Sequence, residues 1–139
     1  MTEGKKIGAF LTSRCKKLAG PTSVSIEDFY KKYGCLCPSV IIELYQSFPG
    51  GFVERFPNES VLFYDAETLM DCADELIPID IAQTGLIPLA DFKDNQFLCY
   101  RPMKKSYVLY SAIDEIQVIE CSSLTDILSQ LGFVISTDT

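Results

Sequence analysis

Between residues 86 and 119 the chain has four short segments rich in β-branched, aromatic and other apolar residues, separated by brief polar connections. They are Leu86–Ala90, Gln96–Arg101, Ser106–Ser111 and Glu115–Ile119. Connections as short as Arg101-Pro102-Met103-Lys104-Lys105 cannot carry a chain back to a parallel neighbour, so these segments must pair antiparallel. Two earlier segments, Phe52–Phe56 and Val61–Tyr64, flank Pro57-Asn58-Glu59 and read as a hairpin. A single antiparallel sheet of five to six strands is the expectation.

The remaining apolar residues recur at helical spacing. Ser25 is placed to cap a helix whose buried side is Ile26, Phe29, Tyr30 and Tyr33, with Gly34 as its left-handed stop. A second helix opens at Pro38, presents Val40, Ile41, Leu44, Tyr45 and Phe48, and ends at Pro49-Gly50-Gly51, where glycine permits a sharp turn. Asp65 is placed to cap a third, with the stripe Ala66, Leu69, Met70, Ala73, Leu76 and Ile77, followed by a loop over Pro78–Gly85. A last helix runs from Leu124 to Leu131, capped by Ser122 or Ser123 and ended by Gly132, with Phe133 placed to fold back on it. Sheet and helices together predict an α+β domain with helices packed on one side of the sheet.

Charge divides the chain. Residues 1–32 hold seven of the twelve cations and three acids, for a net +4; residues 33–139 hold five cations and sixteen acids, for a net −11. Residues 1–20 read as a basic arm with a short amphipathic helix over Ile7, Phe10, Leu11, Cys15 and Leu18, and residues 21–139 as the domain proper. Gly20-Pro21-Thr22-Ser23 separates the two. The acidic balance argues against direct nucleic-acid binding, which needs cations to replace condensed counterions. Five apolar residues after Lys5-Lys6 are too few for a signal peptide, and no run approaches the roughly 20 residues of a membrane span. Six irregularly spaced cysteines, most within apolar runs, read as reduced thiols of a cytoplasmic protein.

The chain contains no histidine, which removes the commonest general base and the commonest metal ligand. Cys35-Leu36-Cys37 offers two thiols where a closed zinc site needs four ligands. Asp91 and Asp94 could pair as carboxylates at a strand end, but such residues more often build the turn itself. No catalytic, cofactor or metal residue is assigned, and a hydrolase using Cys99 or Asp94 is the weakest alternative. Glu67, Asp71, Asp74 and Glu75 form an acidic face on the third helix with no cation among them. The pairs 67–71 and 71–75 are like charges one turn apart, each costing about 0.2–0.5 kcal/mol. That face, with Asp91 and Asp94, is the candidate partner-binding surface. Its bland alternative is a solvated face.

Several segments together resemble the SUKH superfamily of the Smi/Knr type. Cys37-Pro38-Ser39 opens an apolar helix that Phe48-Pro49-Gly50-Gly51 closes. Gly85-Leu86-Ile87-Pro88-Leu89-Ala90-Asp91 follows, and then Asp94-Asn95-Gln96-Phe97-Leu98-Cys99-Tyr100. The resemblance spans roughly residues 25 to 131. Pro49 stands where the family has Asn, Phe92-Lys93 where it has Gly-Gly, and Arg101 where it has an acid. The resemblance implies binding rather than catalysis: an immunity protein that neutralises a cognate toxin with a cationic surface, often a nuclease, or a regulatory adaptor that recognises other cellular proteins. In either case the protein would be a monomer or weak dimer.

Overall fold

The computed structural model describes residues 1–20, 23–55 and 59–135, with the side chains of residues 72, 74 and 76 outside that description. Seven strands form one open antiparallel sheet in sequence order: β1 (Cys15–Leu18), β2 (Gly51–Arg55), β3 (Glu59–Phe63), β4 (Ile87–Phe92), β5 (Gln96–Arg101), β6 (Ser106–Ser111) and β7 (Ile116–Cys121). The helices are α1 (Glu3–Ser13), α2 (Ile26–Lys32), α3 (Ser39–Ser47), α4 (Ala66–Leu76), α5 (Ile81–Thr84) and α6 (Leu124–Gln130). Two of the meander's connections carry helices: α2 and α3 between β1 and β2, and α4 and α5 between β3 and β4.

The caps follow local chemistry. The Ser25 hydroxyl accepts from Asp28 N–H, the Asp65 carboxylate from Thr68 N–H, and the Ser123 hydroxyl from Asp126 N–H, each satisfying an amide the helix leaves open. Gly34 and Gly132 take the left-handed conformation that ends α2 and α6. Past Gly132 the chain turns Phe133 inward, against Phe10 of α1, Phe63 of β3 and Phe92 of β4. Tyr30 of α2 meets Tyr100 of β5, and Phe48 after α3 meets Phe63. Strand registers put Phe63, Ala90, Phe92, Leu98, Tyr100, Tyr107 and Leu109 on one face of the sheet. All these helix-side aromatic contacts reach the sheet on that face.

Three expectations need correction. First, the sheet has seven strands, one more than the upper bound from sequence. Cys15–Leu18, read as the tail of a helix, is its edge strand: Leu11, Cys15 and Leu18 fall at helical spacing, and only a bulge between Cys15 and Lys17 lets Cys15 and Leu18 sit opposite Val53 and Gly51. What decides is Gly51, whose absent side chain lets the β1 backbone come close: a Cβ there would clash with Lys17 O and lie 3.0 Å from Leu18 Cα. Second, residues 1–20 are not a separate arm. α1 packs along α3, β1 joins the sheet, and the Glu3 carboxylate accepts from the N–H and hydroxyl of Thr125 at the start of α6. Third, Pro78–Gly85 contains α5, capped by the Asp80 carboxylate accepting from Gln83 N–H. The expected turn at Pro57-Asn58, and Pro21-Thr22, lie outside the described residues.

α1 reaches α3 through Gly4 and Gly8, one turn apart and both buried. A Cβ on Gly4 would collide with the Val40 carbonyl oxygen and come within 2.7 Å of Glu43 Cβ; one on Gly8 would collide with Ser47 Oγ. Gly4→Ala is expected to lower stability by about 1–3 kcal/mol, because backbone must shift to make room. Gly8→Ala should cost less, since the Ser47 hydroxyl can rotate and alanine regains about 1 kcal/mol of helix propensity. Calorimetry of both variants tests this; a Gly4→Ala protein as stable as the parent would contradict it. The buried Tyr30 hydroxyl has no hydrogen-bond partner among the described residues. Tyr30→Phe should therefore melt no lower than the parent, since it removes an unsatisfied polar group and keeps the ring.

Candidate functional site

The second face of the sheet is the one the helix-side aromatics leave open. Backbone register draws a single row across it: Lys17, Phe52, Leu62, Asp91, Phe97, Tyr110 and Gln117, each opposite the next. One carboxylate therefore stands between Leu62 and Phe97, in a row whose other centre positions are apolar or aromatic. Beside it Phe97, Cys99 and Val108 are buried. Register shifts at Cys15/Lys17, Pro88/Ala90 and Leu109/Tyr110 mark bulges that sharpen the sheet's local twist.

Asp91 is half-buried there, and burial raises its carboxyl above the ordinary value. The Tyr64 hydroxyl offsets part of this by bonding to the charged form, and Tyr64 is itself raised, first by burial and then by Asp91. A carboxylate held where ionisation is disfavoured costs the fold stability. Asp94 does different work. With Asn95 it adopts positive φ in the three-residue turn between β4 and β5, and its side chain is exposed. The two aspartates sit in different settings, one in the strand row and one at the turn. Among the described residues no group of three acids or thiols is placed to hold a metal ion.

The acidic face lies on α4, in the helical layer beside α2. Glu67, Asp71 and Glu75 are exposed, and none of them makes an ion pair among the described residues. The Asp74 side chain lies outside the described residues. Ala66, Leu69, Ala73 and Ile77 are buried on the opposite stripe, so the helix is amphipathic as its sequence pattern requires.

The other end of the open face carries a polar network that sequence reasoning did not find. The Glu120 carboxylate accepts from the Ser106 hydroxyl (2.5 Å), from Arg101 (3.2 Å) and from the Gln117 amide (3.0 Å). These bonds, Ser106 first, hold Glu120 below the usual carboxylate range. The signal was the register of three adjacent strands, which a linear pattern does not display.

The thiols are chemically quiet. Cys15, Cys35, Cys37, Cys99 and Cys121 are free. Burial pushes Cys37 up to about 12 and raises Cys99 and Cys121 as well, so none of the three is primed as a thiolate nucleophile. Cys35 and Cys37 donate weakly to the Tyr33 and Pro38 carbonyls.

The raised carboxyl at Asp91 fixes the sign of a pH effect. Its folded state holds a proton to higher pH than the unfolded chain, so its contribution to stability falls as pH rises above the ordinary aspartate value of about 4. Asp91→Asn should raise Tm at neutral pH, and the gain should shrink as pH falls toward that value and be gone below it. A gain of equal size at every pH would contradict the assignment. Comparison of the chain with protein-family models, with curated proteins and with solved structures returns no match.

Proposed function

We propose that the protein is a non-enzymatic binding domain of the SUKH type, an immunity protein that seats a cationic toxin domain on its acidic surface in the cytoplasm. The observation that carries this reading is the α4 face: Glu67, Asp71 and Glu75 stand one turn apart, exposed and without ion pairs among the described residues. Like charges at that spacing oppose the helix, and Glu75 adds to this near the C-terminal end, where the dipole disfavours an anion. A partner's cations would relieve both costs on binding.

The electrostatics suit the partner class. A nuclease toxin must present cations to nucleic acid, and a net charge of −7, with −11 of it in residues 33–139 set against +4 in residues 1–32, steers such a surface inward. Asp91 fits the same reading as a second anion, set in an apolar row where an incoming guanidinium or ammonium would be desolvated on contact. The α+β architecture with one antiparallel sheet is the class the strand and helix pattern of the sequence calls for, and a scaffold suited to such binding.

Co-expression with a cationic nuclease toxin domain encoded beside this chain is the decisive experiment. Protection of the cells together with a one-to-one complex on gel filtration is the expected result; neither association nor protection would end the reading. Within the complex, reversing Glu67, Asp71 and Glu75 to Lys should slow association about tenfold or more at low salt and flatten its salt dependence. An unchanged on-rate would clear α4 of any part in it.

A further inference from the structure

A groove of about 720 Å³ lies between the end of α2, the short helix α5, the start of β4 and the turn after β5. Its lining includes Tyr33, Ile81 and Ile87, and two large apolar residues from separate segments, Leu36 and Met103. These two are 90% and 91% exposed, although each is apolar and each is placed beside a cavity. Tyr33 and Ile87 supply a partly covered wall, and Gly34 and Gly85 leave the mouth open, since even a Cβ on either would meet nothing within 4 Å. A contiguous apolar surface of this kind marks a binding site in a soluble domain.

The charge around the groove is opposite to that of the rest of the domain. Lys31 and Lys32 end α2, and the turn bearing Met103 carries Arg101, Lys104 and Lys105, three of the five cations in residues 33–139. Glu120 takes Arg101 and Lys104, the Asp80 carboxylate caps α5, and Lys32 donates to the Met70 carbonyl of α4. Lys31 and Lys105 are exposed and make no ion pair among the described residues.

We infer that this groove docks an acidic amphipathic segment of another protein, with its apolar residues against Leu36 and Met103 and its carboxylates toward Lys31 and Lys105. A small ligand inside the cavity would leave both lips in water, whereas a helix laid across them covers both. A second copy of this chain is a poor occupant, because its acidic helix α4 already buries its own apolar stripe. No residue of α4 lines the groove, so one domain would present two docking sites of opposite sign.

The probe is a fluorescent synthetic helical peptide with leucines at i, i+3, i+4 and i+7 and glutamates between, compared with the same peptide carrying lysines in place of the glutamates. Fluorescence anisotropy on the full chain should show the glutamate peptide binding about tenfold tighter or more, a difference that weakens as salt rises. Leu36→Ser with Met103→Ser should abolish binding. Lys31→Glu with Lys105→Glu should weaken it about tenfold and flatten the salt dependence. All four side chains are exposed, and far-UV circular dichroism checks that the variants fold. Failure of the glutamate peptide to bind, equal binding of the two peptides, or full binding by the Leu36→Ser/Met103→Ser variant would each overturn the inference. Self-association that sedimentation velocity finds in the parent and not in that variant would assign the groove to a second copy, and overturn it as well.

Discussion

The architecture turns on the absence of side chains at three positions. Gly4 and Gly8 allow α1 to lie with its backbone almost on α3, and Gly51 allows β1 to lie against β2 where any Cβ would strike the Lys17 carbonyl. Dispersion and burial gain most when surfaces meet without a gap, and glycine is the residue that removes one. The consequences run the length of the chain. Once α1 is seated, Phe10 reaches Phe133, Glu3 reaches Thr125, and the first and last helices are tied together. Phe133 in turn packs on Phe63 and Phe92, so the first strand, the aromatic cluster and the closing helix depend on the same close approach.

Against that packed interior the charges are arranged at some expense to stability. Several acids are matched: Glu59 is held below its usual range by Arg55, whose guanidinium also reaches the Leu131 carbonyl and lies over the Phe92 ring. Lys16 pairs with Glu54 at the sheet edge, where lysines also discourage pairing with another chain. Among the described residues Glu67, Asp71, Glu75 and the half-buried Asp91 make no ion pair. The chain's twelve cations stand on α1, at Arg14, on β1, at the end of α2, at Arg55 and Lys93 and around the 101–105 turn, and none is on α4, which Lys32 reaches through the Met70 carbonyl. Segregation of this kind suits association with charged partners better than it suits stability in isolation.

Much of this was legible in the sequence, and the parts that were not share a cause. The caps at Ser25, Asp65 and Ser123, the stops at Gly34 and Gly132, the stripe on α4 and the antiparallel pairing of β4 to β7 all follow from residues within a few positions of one another. β1 did not, because its apolar spacing is helical, its strand register depends on a bulge, and the arbiter, Gly51, lies far along the chain. α5 did not, because four residues cannot display a helical period, although Asp80 and Gly85 carried its cap and its stop. Asp91 was singled out from its place in a turn beside Asp94, whereas its chemistry comes from Leu62, Phe97 and Tyr64, which only strand register brings to it. Leu36 and Met103 gave no signal at all, since an exposed apolar residue and a buried one look the same in a sequence.

One short joint links the two acidic surfaces. Tyr64 follows β3, its hydroxyl bonds to Asp91 on the open face, its carbonyl accepts the Tyr45 hydroxyl of α3 at 2.7 Å, and the next residue, Asp65, caps α4. Gly50 holds that joint from behind: at φ 125°, a Cβ there would lie 2.9 Å from Asp65 N and 3.0 Å from Phe63 O. The adjacent glycines Gly50 and Gly51, which the sequence presents as a simple turn, thus have separate duties. Gly51 admits β1 to the sheet, and Gly50 lets the end of α3 close on the joint that sets both the start of the acidic helix and the position of Asp91. A surface built for a rigid partner needs its charges fixed relative to one another before contact, because ordering them on binding would cost conformational entropy. Here the close backbone contact at Gly50 and the Tyr45–Tyr64 hydrogen bond together supply that fixity.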